Sequence, residues 1–225
     1  MNQKRIALEA ALFFSAFFLP GLLSQADPAG YSAIGPVMLT ALVLSTPQIL
    51  LILYTLHVQD PRALEEFGVI KRPLIQPLPI LLAFLGVIAI AAAVQAGIQL
   101  FPVDAREALG EGYRWKLLGA SQLPLALVFC AVSAYREELF FRSYLLTRMD
   151  HLGFGPVPAA ASSALIFSAQ HFYEGWMGVA MSAVQGVFLA VVFRRTRSLN
   201  TVAAAHGMYN FTVLCLSLLP ATASF

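Results

Sequence analysis

The sequence predicts an all-α fold, a polytopic transmembrane helix bundle of about seven spans, with an eighth short or re-entrant element allowed. Three observations carry this. Of the 225 residues, 59% are hydrophobic and only 12% charged, where a soluble domain averages roughly 25% charged. The mean hydropathy is +0.74. Seven separate stretches reach or approach the roughly 20 mainly apolar residues that a spanning helix needs. Too little polar surface is left to coat a globule in water, and a lipid-facing surface removes the difficulty.

The stretches run near Ile6–Ser24, Pro36–Val58, Pro77–Phe101, Leu117–Tyr135, Val157–Phe172, Met177–Phe193 and Leu199–Leu219. The first resembles a signal peptide, with Lys4 and Arg5 ahead of it and Ser24-Gln25-Ala26 as a cleavage site. Its length, Glu9 and Pro20 favour an uncleaved helix. The fifth and sixth are short, which suits spans shielded by neighbours. Two loops, Gln59–Gln76 and Pro102–Lys116, carry mixed charges with Pro and Gly. No repeat or soluble domain interrupts the chain, so residues 1–225 read as a single transmembrane domain.

Orientation follows from the basic residues, which concentrate in cytoplasmic loops. With the N-terminus in the cytoplasm and seven crossings, 11 of the 14 Lys+Arg fall inside and 3, Arg106, Arg114 and Lys116, outside. This places the chain as an integral, multi-pass protein of a membrane, with lipid as its first partner. A net charge of +2 gives a nucleic acid nothing to bind. Cys130 and Cys215 sit in apolar runs and read as small buried hydrophobes. No GxxxG pair is present to indicate an oligomeric state.

Ionisable side chains inside lipid cost about 2.5–3.5 kcal/mol at a helix centre and are functional candidates by default. Three clusters stand out. In Glu137-Glu138-Leu139-Phe140-Phe141-Arg142 the spacing sets Glu138 against Arg142 on one helix face. Glu137 lies about 100° around the helix and is left to point elsewhere. In Phe167-Ser168-Ala169-Gln170-His171, Phe167 and His171 share a face, as do His206 and Asn210 in the last helix. Each cluster alone also fits an ion pair at a helix end or interhelical hydrogen bonding. Together they hold the parts of a hydrolytic centre. A carboxylate takes a proton from water, a histidine orients that water, and a His with an Asn donates to an oxyanion. Ser168, three before His171, has no orienting third group, so serine catalysis is a weak option.

The three motifs, EExxxR at Glu137-Glu138 to Arg142, FxxxH at Phe167 to His171 and HxxxN at His206 to Asn210, occur in this order in apolar segments. The set resembles the CPBP family of membrane proteases (CAAX proteases and bacteriocin-processing enzymes, also called Abi), which includes the Rce1-type prenyl-protein endopeptidases. The resemblance covers about residues 117–219 and implies a catalytic core in the last four helices. It implies a glutamate-dependent intramembrane endopeptidase cutting near the cytoplasmic membrane face, with no cofactor or metal and a peptide or lipidated protein as substrate. Glu137 and His171 would then activate water, His206 and Asn210 would hold the oxyanion, and Glu138, Arg142 and Phe167 would support the site. It also suggests a bacterial inner membrane. Two departures are Tyr135-Arg136 before the Glu pair and Ser143 after Arg142.

Other readings stay open at this level. Glu137, His171 and His206 would make three zinc ligands, although no HExxH pair supports them. A non-catalytic scaffold or bacteriocin self-immunity protein would need none of the polar set. A transporter would want internal symmetry, and none is visible.

Overall fold

A computed structural model describes residues 3–19, 34–70, 73–110 and 116–219. The Ser24-Gln25-Ala26 site, Pro20, Lys71, Arg72 and Arg114 lie outside the described residues. Among those described there is no strand. The helices are α1 (Gln3–Phe17), α2 (Ile34–Gln59), the single turn α3 (Ala63–Glu66), α4 (Pro77–Ile98), α5 (Val103–Gly110), α6 (Leu123–Glu138), α7 (Leu146–His151), α8 (Pro156–Ala169), α9 (Gly175–Thr196) and α10 (Leu199–Leu216).

Over their described residues all seven predicted stretches fall on helices, and three runs there are long and apolar enough by themselves to cross a bilayer: Gly35–Gln59, Pro77–Ile98 and Pro156–Thr196. The last is a hairpin rather than one rod. A 3₁₀ turn, Gln170–Glu174, ends at Gly175, whose φ of +79° reverses the chain at low steric cost. The legs then pack antiparallel, with Gly186 of α9 against Ala164 of α8. A Cβ on Gly186 would lie 3.1 Å from the Ala164 Cβ and 3.4 Å from Arg142 Nη2. Gly186→Val is expected to cost about 1–3 kcal/mol by overpacking, checked by unfolding in mixed micelles.

The fourth stretch runs on past Tyr135, as the absence of proline between Pro124 and Pro156 allows. Helix α6 passes into a π-helical segment, Leu139–Leu145, and then into α7, making one rod to His151. The rod is roughly 40 Å long at about 1.5 Å per residue, longer than the ~30 Å hydrocarbon core. Glu137 lies fourteen residues from either end. It is therefore mid-rod, with Arg142 buried in the bundle interior and Arg136 partly buried. The wide π turns alter the helix phase after Glu138. Residues 139–149 are all buried, among them Phe140, Phe141 and Tyr144 at 0–1% exposure.

Helix directions alternate. Leu199 N donates to Gly68 O (2.9 Å) at one end of the bundle, and Leu117 N to Ser217 Oγ (3.1 Å) at the other. At the first end the 59–70 loop is held by Ser143 Oγ on Phe67 O (2.6 Å) and Arg197 Nη2 on Glu66 O (2.8 Å). Glu9 of α1 accepts from Tyr144 (2.6 Å) and Arg148 (3.1 Å), and Gln59 of α2 joins them. That network fastens α1 and α2 onto the rod and explains a glutamate inside the first span. Outward-facing Leu82, Val43 and Leu165 stay more than half exposed, as a lipid-facing surface requires.

Candidate active site

Three elements carry the polar set to one place. The rod supplies Glu137 and Glu138, the α8–α9 hairpin supplies Phe167 and His171, and α10 supplies His206 and Asn210. A cavity of about 320 Å³ is lined by Glu137, His171, His206, Asn210 and Phe167, all of them predicted site residues. Glu138 and Arg142 stand behind it with 0% exposure.

The pairing of Glu138 with Arg142 follows the predicted spacing, at 3.0 Å. Arg142 also reaches Gly186 O at 3.5 Å and lies over the Phe167 ring at 4.2 Å. That ring is edge-on to His171 (5.0 Å) and to His206 (6.0 Å). Phe167 therefore spaces the two histidines and screens Arg142 from the cavity.

The sequence did not reveal the bond that organises the site. His206 Nδ1 lies 2.8 Å from Glu138 Oε1, across 68 residues of chain. With Nδ1 engaged, Nε2 is the nitrogen presented to the cavity, 3.9 Å from Glu137 Oε2. Such a second contact fixes which imidazole nitrogen is available. Arg142, Glu138, His206 and Glu137 thus form a row from the buried core to the cavity wall.

Glu137 has a further neighbour, Arg136 Nη2 at 3.4 Å, where the sequence departs from the family pattern. Arg136 is shared with Gln48 Oε1 (3.4 Å) and lies over the Phe18 ring at 5.1 Å. His171 Nδ1 is 3.4 Å from Glu174 Oε1, an ion-pair distance without hydrogen-bond geometry. Gly178 makes room for this contact, because a Cβ there would fall 2.3 Å from the Glu174 Cβ.

Sequence reasoning passed over Glu174, Gln185 and Tyr209, which also line the cavity. Signals existed. Gln185 is the single side-chain amide in α9, and Glu174 follows His171 by three. Gln185 is 6% exposed and its Nε2 has no hydrogen-bond partner, leaving a buried donor at the wall. Ser168 is turned away, its hydroxyl donating to Leu165 O (3.0 Å), so it is no nucleophile. Among the described residues no three His, Cys, Asp or Glu side chains gather as a metal-binding group, the set Glu137, His171 and His206 included.

Residues 119–212 match the family model described as type II CAAX prenyl endopeptidase Rce1-like. This stretch is an Rce1-like domain of the CPBP family. It covers under half of the chain and contains all seven predicted site residues. No curated protein and no solved structure matches the chain. The Rce1-like domain takes in the rod through Arg142 and Arg148, the hairpin, and α10 as far as Asn210. Helices α1, α2 and α4 lie outside it and pack against it. The protein is accordingly an integral membrane protein that carries a domain similar to a protease family.

Proposed function

We propose that the Rce1-like domain is an intramembrane endopeptidase in which Glu137 and His171 activate a water molecule and His206 with Asn210 receives the oxyanion. The observation that supports this most is the convergence of those four side chains, from three separate elements, on one cavity bounded by oil. Polar groups carried into a bilayer at this cost mark a functional site.

The steps follow from the donor and acceptor inventory. Glu137 takes a proton from water while His171 orients it, and the hydroxide oxygen bonds to the scissile carbonyl carbon. The carbonyl π pair moves onto oxygen. His206 Nε2, with both ring protons in place, and the Asn210 amide donate to that oxygen. Collapse of the tetrahedral species breaks the C–N bond, and the proton held at Glu137 passes to the leaving amine. A carboxylic acid and an amine result. Glu138 anchors His206 through Nδ1, and Arg142 holds Glu138, so these two are positioning residues. The catalytic core is taken as residues 117–219 of a single transmembrane domain in a bacterial inner membrane, with the N-terminus in the cytoplasm. The substrate is a peptide or lipidated protein.

The test uses the full chain reconstituted in liposomes with two fluorogenic peptides, one ending in a farnesylated CAAX sequence and one unlipidated. Asn210→Ala is expected to lower kcat by about 10²–10³-fold with KM little changed. Unaltered kcat in Asn210→Ala and in His206→Ala would remove the oxyanion assignment. Wild-type protein that cleaves neither peptide, while its biological activity survives these substitutions, would establish the scaffold or self-immunity alternative.

A further inference from the structure

One face of α9 forms a wall of the cavity. Gly178, Met181, Ser182 and Gln185 follow one another at steps of three, one and three residues, so the helix sets them in one stripe, and all four line the cavity. Two of them are polar. Ser182 is satisfied within its own helix, its hydroxyl donating to Gly178 O (2.7 Å) and Val179 O (3.1 Å). Gln185 is not, since its Nε2 is buried without a hydrogen-bond partner. Tyr209 of α10 is within electrostatic reach of the amide but makes no hydrogen bond to Nε2.

The fold holds this amide in place. The next residue, Gly186, is wedged against α8, where a Cβ would lie 3.2 Å from Ala164 Cα. Its carbonyl oxygen accepts from Arg142 Nη2 (3.5 Å), the guanidinium that also holds Glu138. Helix α9 therefore cannot turn to carry Gln185 to another partner. A buried amide N–H without an acceptor costs free energy that an apolar side chain of the same length does not. Packing by itself gives no reason for glutamine at this position.

A peptide bound here has the complementary need. In surroundings of oil every main-chain carbonyl must find a donor. His206 and Asn210 serve the scissile carbonyl in the reading above, which leaves the carbonyl beside it without one. The cavity holds about 320 Å³, so a carbonyl that reaches Gln185 belongs to a residue close to the scissile bond. We propose that Gln185 is a substrate-binding residue whose Nε2 donates to the main-chain carbonyl next to the scissile one. Which carbonyl is scissile rests on the proteolytic reading; the binding of a peptide by Gln185 does not. A bond to a carbonyl that does not react is made equally before and during the chemistry, so its loss acts on KM more than on kcat.

Gln185→Met keeps the length of the side chain and removes the donor. In the full chain in liposomes, KM for the farnesylated and unlipidated peptides is expected to rise about 3–10-fold, the worth of one net hydrogen bond. Binding of the same two peptides, followed by fluorescence anisotropy on Glu137→Gln protein, should weaken by the same factor when Gln185→Met is added. The unfolding midpoint in mixed micelles should stay level or rise, because a buried donor without a partner has gone. An amide that serves only the fold gives the opposite, a lower midpoint with unaltered affinity. Unchanged affinity, a lowered midpoint, or failure of both peptides to bind overturns the proposal. Should the variant not accumulate, Glu137→Gln protein with Gln185 intact is titrated with unlipidated analogues that each have one carbonyl reduced to methylene. Weaker binding at two adjacent positions supports the proposal. Weakening at one position or at none, as expected if Gln185 met a substrate side chain, overturns it. Cleavage is scored separately. Weaker peptide binding in Gln185→Met, with no cleavage by the wild type, keeps the Gln185 assignment and discards the protease. Cleavage with KM and affinity unchanged in Gln185→Met does the reverse.

Discussion

Glu137→Gln is expected to reduce peptide cleavage by about 10²–10⁴-fold, the contribution typical of a positioned general base. The substitution preserves shape and volume and removes the group that accepts the proton from water. The fold should tolerate it. Glu137 retains 15% side-chain exposure, and its ion-pair contacts are Arg136 at 3.4 Å and His206 at 3.9 Å. Both partners keep other neighbours, Gln48 for Arg136 and Glu138 for His206. The liposome assay with the farnesylated and unlipidated peptides, run beside thermal unfolding in detergent, separates the two effects. Lost cleavage with an unchanged midpoint assigns Glu137 to the chemistry. Unchanged cleavage would show that the carboxylate is not the base and that the convergence of polar groups serves another purpose.

Arg142→Met is expected to have the largest effect on stability, about 3–5 kcal/mol, because breaking a buried ion pair leaves a charge without compensation. Both partners are 0% exposed, so water cannot take the place of the guanidinium. Glu138 Oε1 would keep only His206, and Oε2 already has no hydrogen-bond partner. Contact with the Phe167 ring and with Gly186 O would be lost as well. Combining Arg142→Met with Glu138→Gln should recover part of the stability, since no unpaired charge then remains. Cleavage should stay low in the double variant, as His206 loses the carboxylate that fixes its Nδ1. Denaturant titration in mixed micelles reads the first effect and the liposome assay the second. If Arg142→Met is as stable as the wild type, Glu138 is not held as an ionised partner and the row from core to cavity needs another explanation.

These two residues show what was legible before any coordinates. Glu138 with Arg142, Phe167 with His171, and His206 with Asn210 are each four apart. Helical geometry alone brings such pairs together, and each is found on a shared face. The bond from His206 to Glu138 was not legible. It spans 68 positions, and sequence spacing constrains only neighbours along one helix. Glu9 is a similar case. In sequence it argues against a signal peptide, and only the bundle shows it accepting from Tyr144 and Arg148.

The amino-acid sequence by itself determined the membrane bundle, its seven helical stretches and the residue types of the site. Each of these follows from local composition and from periods of a few residues. Tertiary structure alone decided which carboxylate anchors His206 and which of its nitrogens faces the cavity. Hydropathy scores a charge as though it faced lipid or water. Arg142 faces protein instead. The His206 anchor depends on packing between helices 68 residues apart in the chain, and no local pattern records it.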